Sequence, residues 1–190
     1  MYTNAIAFIS LLSLTSAMPT SLNPRQAACF IVGDETLPAE VADVATTLVN
    51  TVTCSATAKT LSTVPDVTSG ATTFSSIDFS QSNLSPLGFA LDEFATATPL
   101  ASTNLKKFQD SLNVYLATEV GIRSTGGDLA IKVPKFFLQM QVSRIQTAQG
   151  NPPAAAGAQV DHLRDKVTKN AAGESKALLD QVIALADVLA

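Results

Sequence analysis

The 190-residue chain contains no tryptophan, two tyrosines and a single histidine. Exposed tryptophan and tyrosine side chains are common anchors of binding surfaces. Tyr115 is the one tyrosine outside the first 17 residues, so we do not expect a flat polysaccharide-binding face. The net charge is −4, and no basic run is interleaved with aromatic residues. Nucleic acid is therefore not an expected partner.

Catalytic motifs are also missing. His162, in the segment QVDHLRDK, would have to supply the base of a Ser-His-Asp site, but its charged neighbours predict a solvent-facing position. The G-x-S-x-G motif, the glycine motifs that bind phosphate or dinucleotides, and the ligand spacing of a zinc site are all absent. The acidic pairs Asp34-Glu35 and Asp92-Glu93 are typical of solvated faces and helix N-termini. The sequence thus predicts no catalytic residue, no metal site and no cofactor, and favours a protein that is not an enzyme.

The N-terminal segment predicts secretion. The apolar run from Ala5 to Leu14 is too short to cross a bilayer as a helix, and it fits the apolar region of a secretory signal. Thr15 and Ala17 place small residues at the −3 and −1 positions of a cut after Ala17. No lysine or arginine precedes the run, so a buried N-terminal helix is the alternative. We expect a secreted, extracellular protein without a transmembrane segment in its mature chain.

Three parts of the chain follow from this interpretation. Residues 1–17 are the predicted signal, residues 18–28 are a short segment that could also be trimmed after Arg25, and residues 29–190 form a single helical domain. A domain of this size can bury a core without depending on a disulfide. A GPI-anchor signal is one interpretation of the C-terminal apolar run ALLDQVIALADVLA, and a last helix of the domain is the other. Asp180, Gln181 and Asp187 interrupt it and favour an amphipathic last helix.

Apolar residues recur at helical spacing through most of the domain. The first two predicted helices cover 38–53 and 86–95. The third is capped by Thr98, begins at Pro99 and ends at Gly121. The fourth covers 134–148, with Phe137, Met140, Gln141 and Ile145 facing inward, and a last helical segment covers 158–189 with a break at Gly173. Short β segments near 30–32 or 129–133 are alternatives to loops. The expected fold class is all-α, a bundle of four to six helices.

Residues 55–86 interrupt the helical pattern, since 14 of the 32 are serine or threonine. We expect an ordered but irregular segment that packs on the helices through Val67, Phe74, Ile77 and Phe79. The segment VPDVTSG predicts a turn. The alternative for the whole Ser/Thr-rich segment is an O-glycosylated stretch that does not pack on the helices. Asn83, in Asn83-Leu84-Ser85, is the one N-glycosylation sequon, although Pro86 follows it.

The two cysteines, Cys29 and Cys54, predict one disulfide if the chain is secreted. A free or redox-active pair is the alternative, but the C-x-x-C spacing is absent. A helix from 38 to 54 would rise about 24 Å. The chain from Cys29 to Leu37 spans at most about 26–29 Å. The bond would therefore hold CFIVGDETL nearly extended along the first helix, as an N-terminal arm, with Phe30 or Ile31 near the helix C-terminus.

Several segments carry a family resemblance. Over roughly residues 28–150 the chain resembles uncharacterised small secreted proteins of filamentous fungi. The resemblance is carried by four segments that follow a signal ending in small residues: CF-VG, LPAEVADVATTL, TVTCS and VPDVTSG. The resemblance implies a fungal source, secretion and a role at a host or substrate interface. The fungal hydrophobic-surface-binding proteins are also secreted and helical, but the cysteine pair and the long Ser/Thr segment depart from them.

Two functions are consistent with these observations. The first is a secreted non-enzymatic protein that acts by binding, as an effector-like or surface-interaction protein with an unknown protein partner. The second is an extracellular carrier of a lipid or another apolar small molecule, because a helical bundle rich in Phe, Leu, Val and Ala can enclose an apolar cavity. An ordinary filled core would favour the first function.

Overall fold

The structure is a computed structural model and describes residues 28–189. The predicted signal peptide and the trimming site at Arg25 lie outside the described residues. The elements are α1 (Ala39–Leu48), β1 (Thr53–Lys59), β2 (Pro65–Ser69), β3 (Thr72–Thr73), α2 (Pro86–Glu93), α3 (Leu105–Ser124), α4 (Lys132–Ala148), α5 (Val160–Asn170) and α6 (Lys176–Asp187). No helix within residues 28–189 is long and apolar enough to cross a membrane.

The all-α prediction is correct for the six helices in the described part of the chain but wrong for the Ser/Thr-rich segment. That segment contributes most of a three-stranded antiparallel sheet in the order β1-β2-β3. Cys54 pairs with Val67, and Thr68 pairs with Thr73. Threonine and valine are β-branched and suit a strand that packs on one face. The segment shows no alternating period because β1 is largely exposed along its length, whereas four of the five residues of β2 are buried.

The turn predicted at VPDVTSG lies later than expected. Pro65–Ser69 is strand β2, and the chain reverses at Gly70 and Ala71 before β3. Gly70 has a φ of 55°, a conformation that glycine adopts without a steric cost. A glycine at the first central position is typical of a two-residue hairpin turn. The prediction that this segment packs on the helices is confirmed, because the four named apolar side chains are buried: Val67, Phe74, Ile77 and Phe79.

Helix α3 begins later than predicted. The Thr98–Pro99 peptide is cis, and a single 3₁₀ turn follows at Leu100–Ser102. The helix starts after Asn104, whose side-chain oxygen accepts a hydrogen bond from the Lys107 amide at 3.1 Å. Asparagine is a good N-cap residue for this reason. The helix also continues through Gly121, which the sequence had suggested as its end.

The remaining helices largely follow the sequence pattern. Helices α2 and α4 lie within two residues of the predicted bounds, and the four inward residues of α4 are buried. The last segment breaks between α5 and α6, around Gly173. Helix α1 ends at Leu48, five residues earlier than predicted, because the chain enters β1. The short β segments suggested near 30–32 and 129–133 are wrong, since 30–32 is irregular and Lys132 begins α4.

The disulfide between Cys29 and Cys54 is confirmed, with a Cα–Cα distance of 6.0 Å. Residues 30–36 are not helical, as the crosslink required. The N-terminal arm hydrogen-bonds to the end of α3, a partner that the sequence did not reveal. The amides of Val32 and Gly33 donate to Ser124 Oγ at 3.1 and 3.0 Å, and the Glu35 amide donates to the Ser124 carbonyl at 2.9 Å. The arm therefore joins α3 to the strand that carries Cys54.

A candidate ligand-binding cleft

A cleft of about 540 Å³ lies between α2, the loop that follows it, α4 and α6. Its lining residues are mostly small or aliphatic: Leu91, Ala95, Thr96, Ala97, Thr98, Leu100, Gln141, Arg144, Gln181, Ala184, Leu185 and Val188. Ligand pockets typically measure about 300–1,000 Å³ and combine an apolar lining with a few placed polar groups. The cleft has both properties.

The deepest lining residues form a floor. Leu100, Gln141 and Arg144 are buried, whereas Ala97, Ala184 and several other lining residues are exposed. Gln141 and Arg144 are three residues apart in α4, a spacing that places two side chains on one helix face. The floor is thus apolar around Leu100 and polar where α4 contributes its amide and guanidinium groups.

Gln141 is held by the backbone of α2. Its amide nitrogen Nε2 donates a 2.8 Å hydrogen bond to the carbonyl oxygen of Phe94, the residue at the C-terminal cap of α2. That bond turns Oε1 towards Arg144, which donates to it through Nη1. The amide therefore orients one edge of the guanidinium group.

Arg144 is 1% exposed. Its Nη2 donates a 2.9 Å hydrogen bond to the carbonyl oxygen of Val188, just past the C-terminus of α6. A helix C-terminus carries a partial negative charge, which favours a cation nearby. Within residues 28–189, Nε has no hydrogen-bond partner and no carboxylate forms an ion pair with the guanidinium. Burial lowers the pKa of Arg144 from its ordinary value.

Three exposed apolar side chains lie near the C-terminal end of α6 and just after it. Ile183, Val188 and Leu189 are 44%, 52% and 38% exposed, and Val188 also lines the cleft. Scattered exposed aliphatic residues are normal on soluble proteins. Val188 is the one of these three that lines the cleft, to which it adds an exposed apolar side chain.

A second cavity of about 380 Å³ lies over a buried charge cluster. Glu119 accepts from Lys135 Nζ and from Arg123 Nη2, each at 2.9 Å. The Lys135 ammonium also lies 3.6 Å from the ring centroid of Phe136, within cation–π range. Burial lowers the pKa of Lys135, while the Glu119 carboxylate acts in the opposite direction. The Glu119 carboxylate pairs with both cations, so the cluster is explained as a structural ion-pair network.

The structure places the remaining sequence candidates on the surface. His162 is exposed on α5, and the acidic residues of the pairs 34–35 and 92–93 are exposed as well. Asn83 is exposed just before α2, where Ser85 Oγ accepts from the Gly88 amide as the N-cap. Cys29 and Cys54 are crosslinked. No group of three metal-ligating side chains occurs among residues 28–189.

Sequence reasoning missed Arg144. Gln141 was predicted to face inward, and the same helical stripe contains Arg144, seven residues after Phe137. A cation at an inward position of an apolar stripe was the available signal, because charged residues are rarely fully buried without a partner. The cleft itself could not be inferred, since its walls come from segments far apart in sequence.

These features define a mainly helical, disulfide-bonded protein with a small antiparallel sheet and a partly apolar cleft. Residues 31–190 match the model of a family described as a domain of unknown function (DUF7143), and the chain belongs to that family. No curated protein and no solved structure matches the chain.

Proposed function

We propose that the protein is a secreted, non-enzymatic binding protein that holds an apolar small molecule in the cleft between α2, α4 and α6. The observation that carries the proposal is the combination of an aliphatic lining with a buried polar floor in one cavity of about 540 Å³. Such a cavity can bury most of a small ligand and still orient one of its ends. The disulfide fits an oxidising compartment such as the extracellular space.

Filling the cleft tests this proposal. Ala184 lines the cleft on α6 and is exposed, so Ala184→Phe should place an aromatic ring in the space for a ligand. Ala177 is exposed on the same helix but does not line the cleft, which makes Ala177→Phe the matched control. We expect 1-decanol to bind the wild type and Ala177→Phe in calorimetric titrations, and to bind Ala184→Phe at least tenfold more weakly. Equal binding of 1-decanol by all three proteins contradicts the proposal, and so does a wild type that binds neither 1-decanol nor its carboxylate counterpart, decanoate.

A surface-interaction or effector-like role is the second candidate. The apolar side chains of Ile183, Val188 and Leu189 at the end of α6 favour it, because they could contact a protein or an apolar surface. Native mass spectrometry of protein secreted by its own host separates the two roles. A co-purifying small molecule supports the carrier, and a clean apo mass supports the interaction protein.

A further inference from the structure

We propose that the ligand of the cleft is a monocarboxylic acid with an aliphatic tail, and that its carboxylate binds the guanidinium group of Arg144. This inference rests on the proposed function, because it names the chemical class of the ligand for the same cleft. It depends on four observations made on residues 28–189: Arg144 has no carboxylate partner there, some of its donors are unused there, its guanidinium group has a fixed orientation, and the walls of the cleft are apolar.

The missing counter-charge distinguishes Arg144 from the other buried cation. Lys135, which is 7% exposed, forms an ion pair with Glu119 at 2.9 Å. Arg144 is more deeply buried, yet within residues 28–189 it bonds only to neutral oxygens, those of Gln141 and Val188. A buried charge is costly unless it is paired. The burial that lowers the pKa of Arg144 is opposed by no carboxylate in that part of the chain. An anionic ligand would supply the missing charge.

The guanidinium group also has donors to spare. It carries five N–H groups, and bonds to Gln141 and Val188 account for two of them. Nε is buried and has no partner among the described residues. Arginine binds carboxylates through two parallel N–H···O bonds, which are stronger than bonds between neutral groups. The bonds to Gln141 and Val188 hold the group in place before a ligand arrives, which reduces the entropy cost of binding.

The rest of the cleft selects the tail and limits the head group. Among residues 28–189, Arg144 is the one ionisable residue that lines the cleft, so this part of the chain gives the site a single positive charge. A carboxylate matches that charge, whereas a phosphate monoester would bring up to two negative charges into an apolar site. The side chains of Leu91, Leu100 and Leu185 give the tail an aliphatic surface. The site is therefore suited to a fatty acid rather than to a phosphorylated compound.

Two chain-matched ligands test the head group without altering the protein. Decanoate and 1-decanol have the same tail length, and calorimetric titrations at neutral pH give both dissociation constants. Hydrogen bonds to a charged group should make wild-type protein bind decanoate about 10-fold to 100-fold more tightly than 1-decanol. Equal affinities overturn the carboxylate inference and leave the proposed function standing. If neither ligand binds, both the inference and the proposed function fail.

A variant assigns the preference to Arg144. Arg144→Met keeps an unbranched apolar stem in place of the arginine stem and removes the guanidinium group with its charge, so we expect it to bind both ligands with similar affinity. Arg164→Met is the control, because Arg164 lies on α5 outside the cleft and bonds to Asp161 and Asp165. It should keep the wild-type preference for decanoate. A preference that survives in Arg144→Met, or that is lost in Arg164→Met, overturns the assignment.

A direct measurement covers the case in which Arg144→Met does not fold. The carbon-13 resonance of carboxyl-labelled decanoate reports the ionisation of the bound acid in the wild-type protein. A nearby cation favours the charged form of a carboxyl group, so the apparent pKa of bound decanoate should be lower than that of free decanoate. An unchanged or raised pKa would show that the carboxylate does not contact Arg144. The role of Arg144 would then be structural, through its hydrogen bond to the Val188 carbonyl at the end of α6.

Discussion

The carbonyl oxygen of Phe30 lies 2.6 Å from the point where a β-carbon on Gly121 would stand. The side chain of Val64 approaches the same point to within 2.6 Å. Gly121 is therefore a contact surface within α3, against which the N-terminal arm and the residue before β2 pack. Its lack of a side chain, rather than its conformational freedom, explains why glycine occupies this helical position.

Replacing Gly121 with alanine should destabilise the protein. Alanine is the better helix former by about 1 kcal/mol, but its methyl group would collide with the backbone of the arm. Overpacking of this kind typically costs about 1–3 kcal/mol. We expect a net loss in the free energy of unfolding of Gly121→Ala, measured by denaturant titration. Gly173→Ala is the control, because nothing lies within 4 Å of its added β-carbon. A stabilised Gly121→Ala variant would mean that the arm is not held against α3.

Neutralising Glu119 should also be costly. In Glu119→Gln the buried ammonium of Lys135 loses its carboxylate partner. Breaking one side of a buried ion pair typically costs about 3–5 kcal/mol. The loss in the free energy of unfolding should become smaller as the pH rises. Burial already lowers the pKa of Lys135, and without Glu119 the ammonium group loses its proton at a lower pH than in the wild type.

The matched control for Glu119 is an exposed pair on α6. Lys176 and Asp180 are 2.6 Å apart, and their side chains are 85% and 54% exposed. Asp180→Asn should change the free energy of unfolding by less than about 1 kcal/mol. Equal effects of the two substitutions, compared by denaturant titration at neutral and alkaline pH, would refute the structural importance of the buried cluster.

Tyr115 should make the protein sensitive to alkali. Its hydroxyl donates a 2.6 Å hydrogen bond to the Ile77 carbonyl. Burial, reinforced by the carboxylate of Asp78, raises the pKa of Tyr115 well above its ordinary value. The unfolded phenol loses its proton near pH 10, while the folded one keeps it. The unfolded state then binds fewer protons, so the free energy of unfolding falls as the pH rises.

Tyr115→Phe checks this reasoning. At neutral pH the variant should be less stable by about 1–2 kcal/mol, because the buried Ile77 carbonyl loses its donor. By pH 11 the ionisation of the unfolded tyrosine should have lowered the free energy of unfolding of the wild type by about 1.4 kcal/mol. The difference in the free energy of unfolding between the wild type and Tyr115→Phe therefore becomes smaller. The measurement is denaturant unfolding of both proteins across the alkaline range. A difference that does not change with pH contradicts a neutral, buried Tyr115.

Removing the disulfide should destabilise the protein without abolishing its fold. The crosslink closes a loop with a sequence separation of 25. Its loss should lower the free energy of unfolding by roughly 3–4 kcal/mol on the chain-entropy model. We expect this loss in the double variant Cys29→Ser, Cys54→Ser, with helical circular dichroism retained. Ser124→Ala is an independent probe of the same arm, since Ser124 Oγ accepts from two arm amides. A double variant as stable as the wild type would show that hydrogen bonds alone hold the arm.

The sequence alone determined the features that depend on local pattern or on a forced choice. Two cysteines permit one intramolecular disulfide. The apolar period of α4 placed Phe137 and Met140 in the core, and apolar residues at helical spacing predicted α2 within residues 86–95. These features follow from helical periodicity and capping, which act over a few residues.

Only the tertiary structure decided the rest. The strands of residues 53–73 show no alternating period, because β1 is largely exposed and β2 is largely buried. They are stabilised by pairing with one another and packing on α3. Position 121 of α3 is a glycine because Phe30 and Val64 approach it from distant segments. Arg144 lies in a cleft because α2, α4 and α6 meet there. Each depends on contacts between segments far apart in the chain, and no local pattern encodes such contacts.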